Sequence, residues 1–162
     1  MHCSDASGRP SDNGGVKSKV LIIGFGNTLR RDDGVGRLVA RQLASKVQAT
    51  VVEAHQLLPE HIEMLAEAEC VVLVDAVIDQ APGTIHRTKL SPTDCAAPAV
   101  DHHRLGPQGL VNAARRLYSA SPEVWLVTIG AARVELGEGL SPEVEASVAD
   151  AVATVVELVR AS

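Results

Sequence analysis

The segment Cys70-Val-Val-Leu-Val-Asp75 constrains the fold most: four consecutive aliphatic residues follow a cysteine, without alternation, and end in a carboxylate. A strand that keeps one face in water alternates polar with apolar residues. One that does not alternate is covered on both faces, as a central strand is in a parallel sheet with helices above and below. Val20–Ile23 and Glu123–Ile129 read as two more buried strands, and Thr50–Ala54 as a further one. Gly83 to Leu90 alternates less cleanly and reads as an edge strand.

Helical spacing fills the intervals. Val35, Leu38, Val39 and Leu43 predict an amphipathic helix over 34–47. Pro59 suits the first turn of a helix running to about Glu69, with Ile62 and Leu65 facing inward. Leu110, Val111, Ala114 and Leu117 share one face of a helix from Gly106 to Tyr118. Ser141-Pro142-Glu143 is an N-cap followed by proline, and it opens a last helix reaching about Arg160. Strands alternating with helices imply a single-domain three-layer α/β/α sandwich with a mostly parallel twisted sheet. A chain of 162 residues fits one such domain. The domain is expected over 19–162. Residues 1–18, polar and almost without apolar content, are expected to form a disordered tail.

Composition removes several classes of function. Aromatic residues are 2% of the chain and the formal net charge is −5, so neither a base-stacking platform nor a phosphate-binding stripe can be assembled, and nucleic acid is not an expected partner. No apolar run approaches the roughly 20 residues that span a bilayer, so no membrane association is expected. Cys3, Cys70 and Cys95 show no metal-binding spacing and suit a reducing compartment. The reading is a cytoplasmic monomer.

In open α/β sheets ligands gather beyond the carboxyl ends of the strands. That rule selects the loop after Ile23, Glu53–His55, Asp75 and the loop after Ile129, with Asp101, His102 and His103 added from the turn before the third helix. The loop Gly24–Gly36 resembles a dinucleotide fingerprint, but Leu29 stands where its third glycine belongs and two aspartates precede the helix. Glu53, placed like a ribose-binding acid, keeps a nucleotide- or cofactor-binding module as an alternative. Asp32 is read as a cap and first-turn acid of the following helix. Asp33 is a second acid that capping does not require, and hence a candidate functional residue. Asp75, ending an apolar strand, is desolvated unless it pairs, binds a cation or accepts from loop amides. Two carboxylates and an imidazole form a mixed oxygen and nitrogen set suited to nickel, zinc or a similar ion. His55, His61 and His86 are read as ordinary, with His55 bordering the site.

These motifs together resemble the NiFe-hydrogenase maturation protease family over about residues 19–158. The most specific match is Gly24-x-Gly-Asn27-x-Leu29-x-x-Asp32-Asp33-Gly34-x-Gly36. Val74-Asp75-Ala76, His55-Gln-Leu-Leu-Pro59-Glu60, Thr128-Ile129-Gly130 and Glu135-Leu-Gly-x-Gly-Leu-Ser141-Pro142 follow in order. The resemblance implies an endopeptidase that removes the C-terminal extension of a nickel-loaded hydrogenase large-subunit precursor and so activates that enzyme. It implies Asp33, Asp75 and His103 as the metal-contacting trio, with His102 as fallback and Asp33 or Asp75 as catalytic base. The nickel is expected to arrive with the substrate, and zinc or cadmium could take its place. An aspartyl-type pair acting without metal is the competing scheme, and a non-catalytic nickel-recognising chaperone is a further alternative. The Gly24–Asn27 loop is expected to hold Asp33, with Asn27 available to a bound peptide.

Overall fold

The structure, a computed structural model, describes residues 20–93 and 105–162. The expected tail at 1–18 lies outside the described residues. The elements run β1 (Val20–Phe25), a 3₁₀ turn (Arg31–Gly34), α1 (Val35–Leu43), β2 (Thr50–Ala54), α2 (Glu60–Glu67), β3 (Cys70–Val77), β4 (Ile85–Leu90), α3 (Pro107–Tyr118), β5 (Glu123–Gly130) and α4 (Pro142–Arg160). The strand order is β2-β1-β3-β5-β4. The first four are mutually parallel, and β4 closes one edge antiparallel to β5.

The unalternating strands are covered on both faces, as their composition demands. On one side Ile22, Val72, Val74 and Val127 pack with Val35, Val39 and Leu43 of α1 and with Val144, Val148, Val152 and Val155 of α4. On the other, Leu21, Ile23, Val71, Leu73 and Val124 pack with Ile62 and Leu65 of α2 and with Leu110, Val111 and Ala114 of α3. The layers are therefore α1/α4, sheet and α2/α3.

Several boundaries differ from the sequence expectation: β1 continues past Ile23 to Phe25, β3 continues past Asp75 to Val77, α2 stops at Glu67, and two further differences have a visible cause. The first helix, expected to reach residue 47, is regular only to Leu43, its last buried residue. Ala44, Ser45 and Lys46 are exposed, and the chain closes in a turn, with the Lys46 and Val47 amides both donating to the Leu43 carbonyl while Val47 packs on the core. The edge strand begins at Ile85, because Gly83 adopts φ +77° and Thr84 bonds back to the Ala81 carbonyl in a turn.

The fit of α1 on the sheet sets the geometry above it. A Cβ added at Gly36 would lie 2.4 Å from the Val74 carbonyl oxygen, and one at Gly24 would lie 2.0 Å from the Gly36 oxygen. Both contacts are with backbone, which cannot swing aside. Gly36→Ala is therefore expected to lower the unfolding free energy by roughly 1–3 kcal/mol through overpacking, although alanine is the better helix former by about 1 kcal/mol. Urea denaturation checks the sign, and a stabilised variant would refute the close approach.

Candidate active site

The first loop is built around Asp33. Gly26 has φ +141°, and a Cβ there would sit 1.9 Å from the Asp33 carbonyl oxygen, so only glycine lets the loop wrap this close. The Asn27 amide then donates to Asp33 Oδ2 at 2.8 Å, and the Leu29 amide donates to Asn27 Oδ1 at 2.9 Å. The expectation that the Gly24–Asn27 loop holds Asp33 matches this geometry.

Asp75 stands near the carboxyl end of β3, where the apolar run delivers it. Among the described residues its Oδ1 accepts only the adjacent Ala76 amide, at 2.8 Å. Burial pushes the carboxyl up to about 7; the Ala76 bond opposes this, and the negative charge of Asp33 adds to the rise. Both acids line one cleft of about 330 Å³ above the sheet. Phe25, Gly26 and Asn27 border it from β1 onward, and His55, Gln56 and Leu57 from the loop after β2. Ala76, Ile78, Leu105, Arg30 and Val134 complete the wall. Near this end of the sheet, Leu29, Leu58, Ile78 and Leu136 are exposed apolar residues. The cleft thus offers acid at its base and apolar side chains around it, an arrangement suited to a peptide segment.

The structure brings together two of the three sequence candidates. His103 and its fallback His102 lie outside the described residues, as does Asp101. Among the described residues, no three His, Cys, Asp or Glu side chains gather closely enough to hold a metal ion. His55 borders the cleft as expected, whereas His61 is buried with Nδ1 accepting the Leu58 amide. Glu53 is engaged by Arg41, whose Nε and Nη2 reach its two oxygens at 3.0 and 2.7 Å. Those bonds chiefly hold the Glu53 carboxyl below its ordinary range. An acid so occupied, with Asp33 filling the glycine loop, leaves the nucleotide reading without a free ribose partner.

Asp32 requires a correction. It caps no helix: it is fully buried, and no side-chain cap bond forms at α1. Its Oδ2 accepts the Ala132 and Arg133 amides, each at 2.9 Å, and the Ser141 hydroxyl at 2.6 Å, while Oδ1 accepts the Ser141 amide at 2.7 Å. Desolvation opposes ionisation there, but the four donors outweigh it and hold the carboxyl below its ordinary range. Ser141 does occupy the N-cap of α4, yet its hydroxyl serves Asp32 and makes no cap bond. Sequence reasoning also missed Arg30 and Val134 as cleft wall, joined where Arg30 Nε donates to the Val134 carbonyl. The run Glu135-Leu-Gly-x-Gly-Leu-Ser141 was the signal that this distant loop mattered.

The fold has counterparts. The hydrogenase maturation protease family model (HycI) matches residues 34–158. This chain belongs to the hydrogenase maturation protease family. It is 25% identical to the hydrogenase 2 maturation protease of Escherichia coli (strain K12), over 89% of this chain and 92% of that one. Its structure superposes on the maturation protease HybD from Thermococcus kodakarensis with a TM-score of 0.64 at 26% identity, covering 86% and 97% of the two chains. The fold is also that of the maturating endopeptidase HybD from E. coli, with a TM-score of 0.68 at 24% identity over 87% of this chain and 91% of that one. The protein is thus a peptidase with a single α/β domain.

The raised Asp75 carboxyl makes a stability prediction. Its folded-state value lies above the unfolded value of 3.8, so the native state binds the extra proton between about pH 4 and 7. Stability falls as pH rises through that window, by up to about 4 kcal/mol. Asp75→Asn keeps an oxygen for the Ala76 amide and removes the charge. It is expected to stabilise the protein at pH 8, with the gain shrinking toward zero near pH 4. Urea melts at both pH values measure this, and a gain independent of pH would contradict it.

Proposed function

We propose that this protein removes the C-terminal extension of a nickel-loaded NiFe-hydrogenase large-subunit precursor, and that it reads the nickel carried by that substrate. The observation carrying the reading is the pair Asp33 and Asp75 at the base of one cleft, the second with its carboxyl near 7. Two carboxylates joined by the imidazole of His103 form an oxygen and nitrogen set suited to a divalent nickel ion presented by a substrate. His102, its neighbour, is the fallback donor.

The chemistry follows from the two acids. Asp75, whose carboxyl titrates near 7 before the precursor binds, would be held ionised by the arriving nickel charge, and as the base it takes the proton of the attacking water and returns it to the leaving amine. Asp33, oriented by the Asn27 amide, supplies the second carboxylate oxygen toward the substrate. The apolar side chains near the cleft, Ile78 and Leu136 among them, suit the residues flanking the scissile bond. The competing aspartyl-type scheme draws on the same pair, because two neighbouring carboxylates share one proton. It differs in needing no nickel in the substrate.

Incubation with nickel-loaded and nickel-free precursors separates these readings by the mass of the product. The nickel-loaded precursor is expected to be shortened and the nickel-free one left intact. Asp33→Ala and Asp75→Ala should each cut turnover by about 10²-fold or more, and His103→Ala should abolish cleavage of the nickel-loaded precursor. Shortening of both precursors alike would favour the carboxyl pair alone. Stable binding of the loaded precursor without any shortening would replace the peptidase reading with that of a chaperone.

A further inference from the structure

Asp32 is the most completely buried acid among the described residues, and no step assigned to Asp33 or Asp75 uses it. Its bonds are long-range: Ala132, Arg133 and Ser141 lie 100 to 109 residues away in sequence. They clamp the two ends of the loop between β5 and α4. The Asp32 amide donates back to the Arg133 carbonyl at 3.0 Å. Further along the same seam, the Arg31 amide donates to the Gly137 carbonyl, and the Gly137 amide to the Leu29 carbonyl. The first loop and the last are one stitched wall, with Asp32 at its buried centre and Asp33 next to it on the cleft side.

A buried acid with four converging donors accepts no other neighbour and tolerates little displacement. The 3₁₀ turn that carries Asp32 also carries Asp33, whose amide donates to the Arg30 carbonyl at 3.1 Å. Fixing one residue of so short a turn fixes the next. Val134, which lines the cleft, hangs from the loop whose ends Asp32 holds.

We infer that Asp32 is a positioning residue for the peptidase site: its four hydrogen bonds lock the turn bearing Asp33 to the loop bearing Val134, and so set where the Asp33 carboxylate points. This inference rests on the role of Asp33 given above. Asp32→Asn is the natural variant, since it keeps size and one acceptor oxygen but turns an NH₂ group toward donors. The Asn27 amide, bonded to Asp33 Oδ2, reports the position of that carboxylate without any need for activity.

The experiment compares wild type, Asp32→Asn and Val155→Ala, a core change in α4 that lowers stability away from the cleft. Hydrogen exchange is followed by NMR at a temperature where all three are folded, and kcat and KM are measured on the nickel-loaded precursor. Asp32→Asn should lower exchange protection at Asn27 by tenfold or more, relative to Ile22 and Ile23 in β1, and should lower kcat at least tenfold with KM within about threefold. Val155→Ala should change neither ratio. Unchanged protection at Asn27 with faster exchange at Ala132 and Arg133 would show that Asp32 serves only the distant loop, and would overturn the inference. A wild type that shortens no precursor would sink the peptidase proposal, while the Asn27 amide would still decide this one. Should Asp32→Asn not fold, Ser141→Ala removes one of the four bonds. A threefold or greater loss of Asn27 protection there supports the inference, and wild-type protection overturns it.

Discussion

Gly36 packs against the Val74 carbonyl with no room for a side chain, and this contact governs the architecture of the active end. Because α1 is seated that close to β1 and β3, the chain between them has no space over the sheet and must loop outward beyond the strand ends. Asp33 lies three residues before the contact on one side, and Asp75 one residue after it on the other. Their proximity follows from helix-to-sheet packing, which is settled by backbone atoms alone. A site built this way is stiff at its base without any contribution from a metal or ligand.

The strands were legible because burial on both faces leaves a local trace: unalternating aliphatic runs in β1, β3 and β5. The two acids of the cleft were legible for a similar reason, since the parallel topology fixes which strand ends face the ligand side. Asp32 was not legible. An aspartate ahead of a helix reads the same in sequence whether it caps that helix or turns into the core, and the donors that distinguish the cases sit about a hundred residues away. Ser141 shows the same ambiguity, holding a cap position while its hydroxyl bonds elsewhere. The cleft wall formed by Arg30 and Val134 was hidden too, because it depends on two loops meeting and loops carry no periodicity. His103, offered with His102 by the same rim rule and preferred to it by resemblance, falls outside the described residues.

Stability and chemistry pull on this site in opposite directions. A carboxyl placed on an apolar strand, beside another negative charge and with one amide to accept from, is unfavourable when ionised. Such a placement is tolerated where the rest of the molecule is well packed, and here two continuous apolar layers flank the sheet. The seam between the first and last loops adds to that support, and among the described residues no lysine or arginine bonds Asp75 to relieve the cost.

Two of the aspartates at this end of the sheet are driven in opposite directions. Asp32, out of contact with solvent, is held ionised, whereas Asp75, at the end of the apolar run, retains its proton toward neutrality. Donors contribute to the difference: among the described residues four reach Asp32, whereas the Ala76 amide alone reaches Asp75. Each converging N–H or O–H stabilises the charged form, and enough of them override desolvation. Three backbone amides and one hydroxyl from the loop between Ala132 and Ser141 thus make Asp32 a structural acid, and they leave Asp75 with the raised carboxyl on which the proposed proton transfer rests.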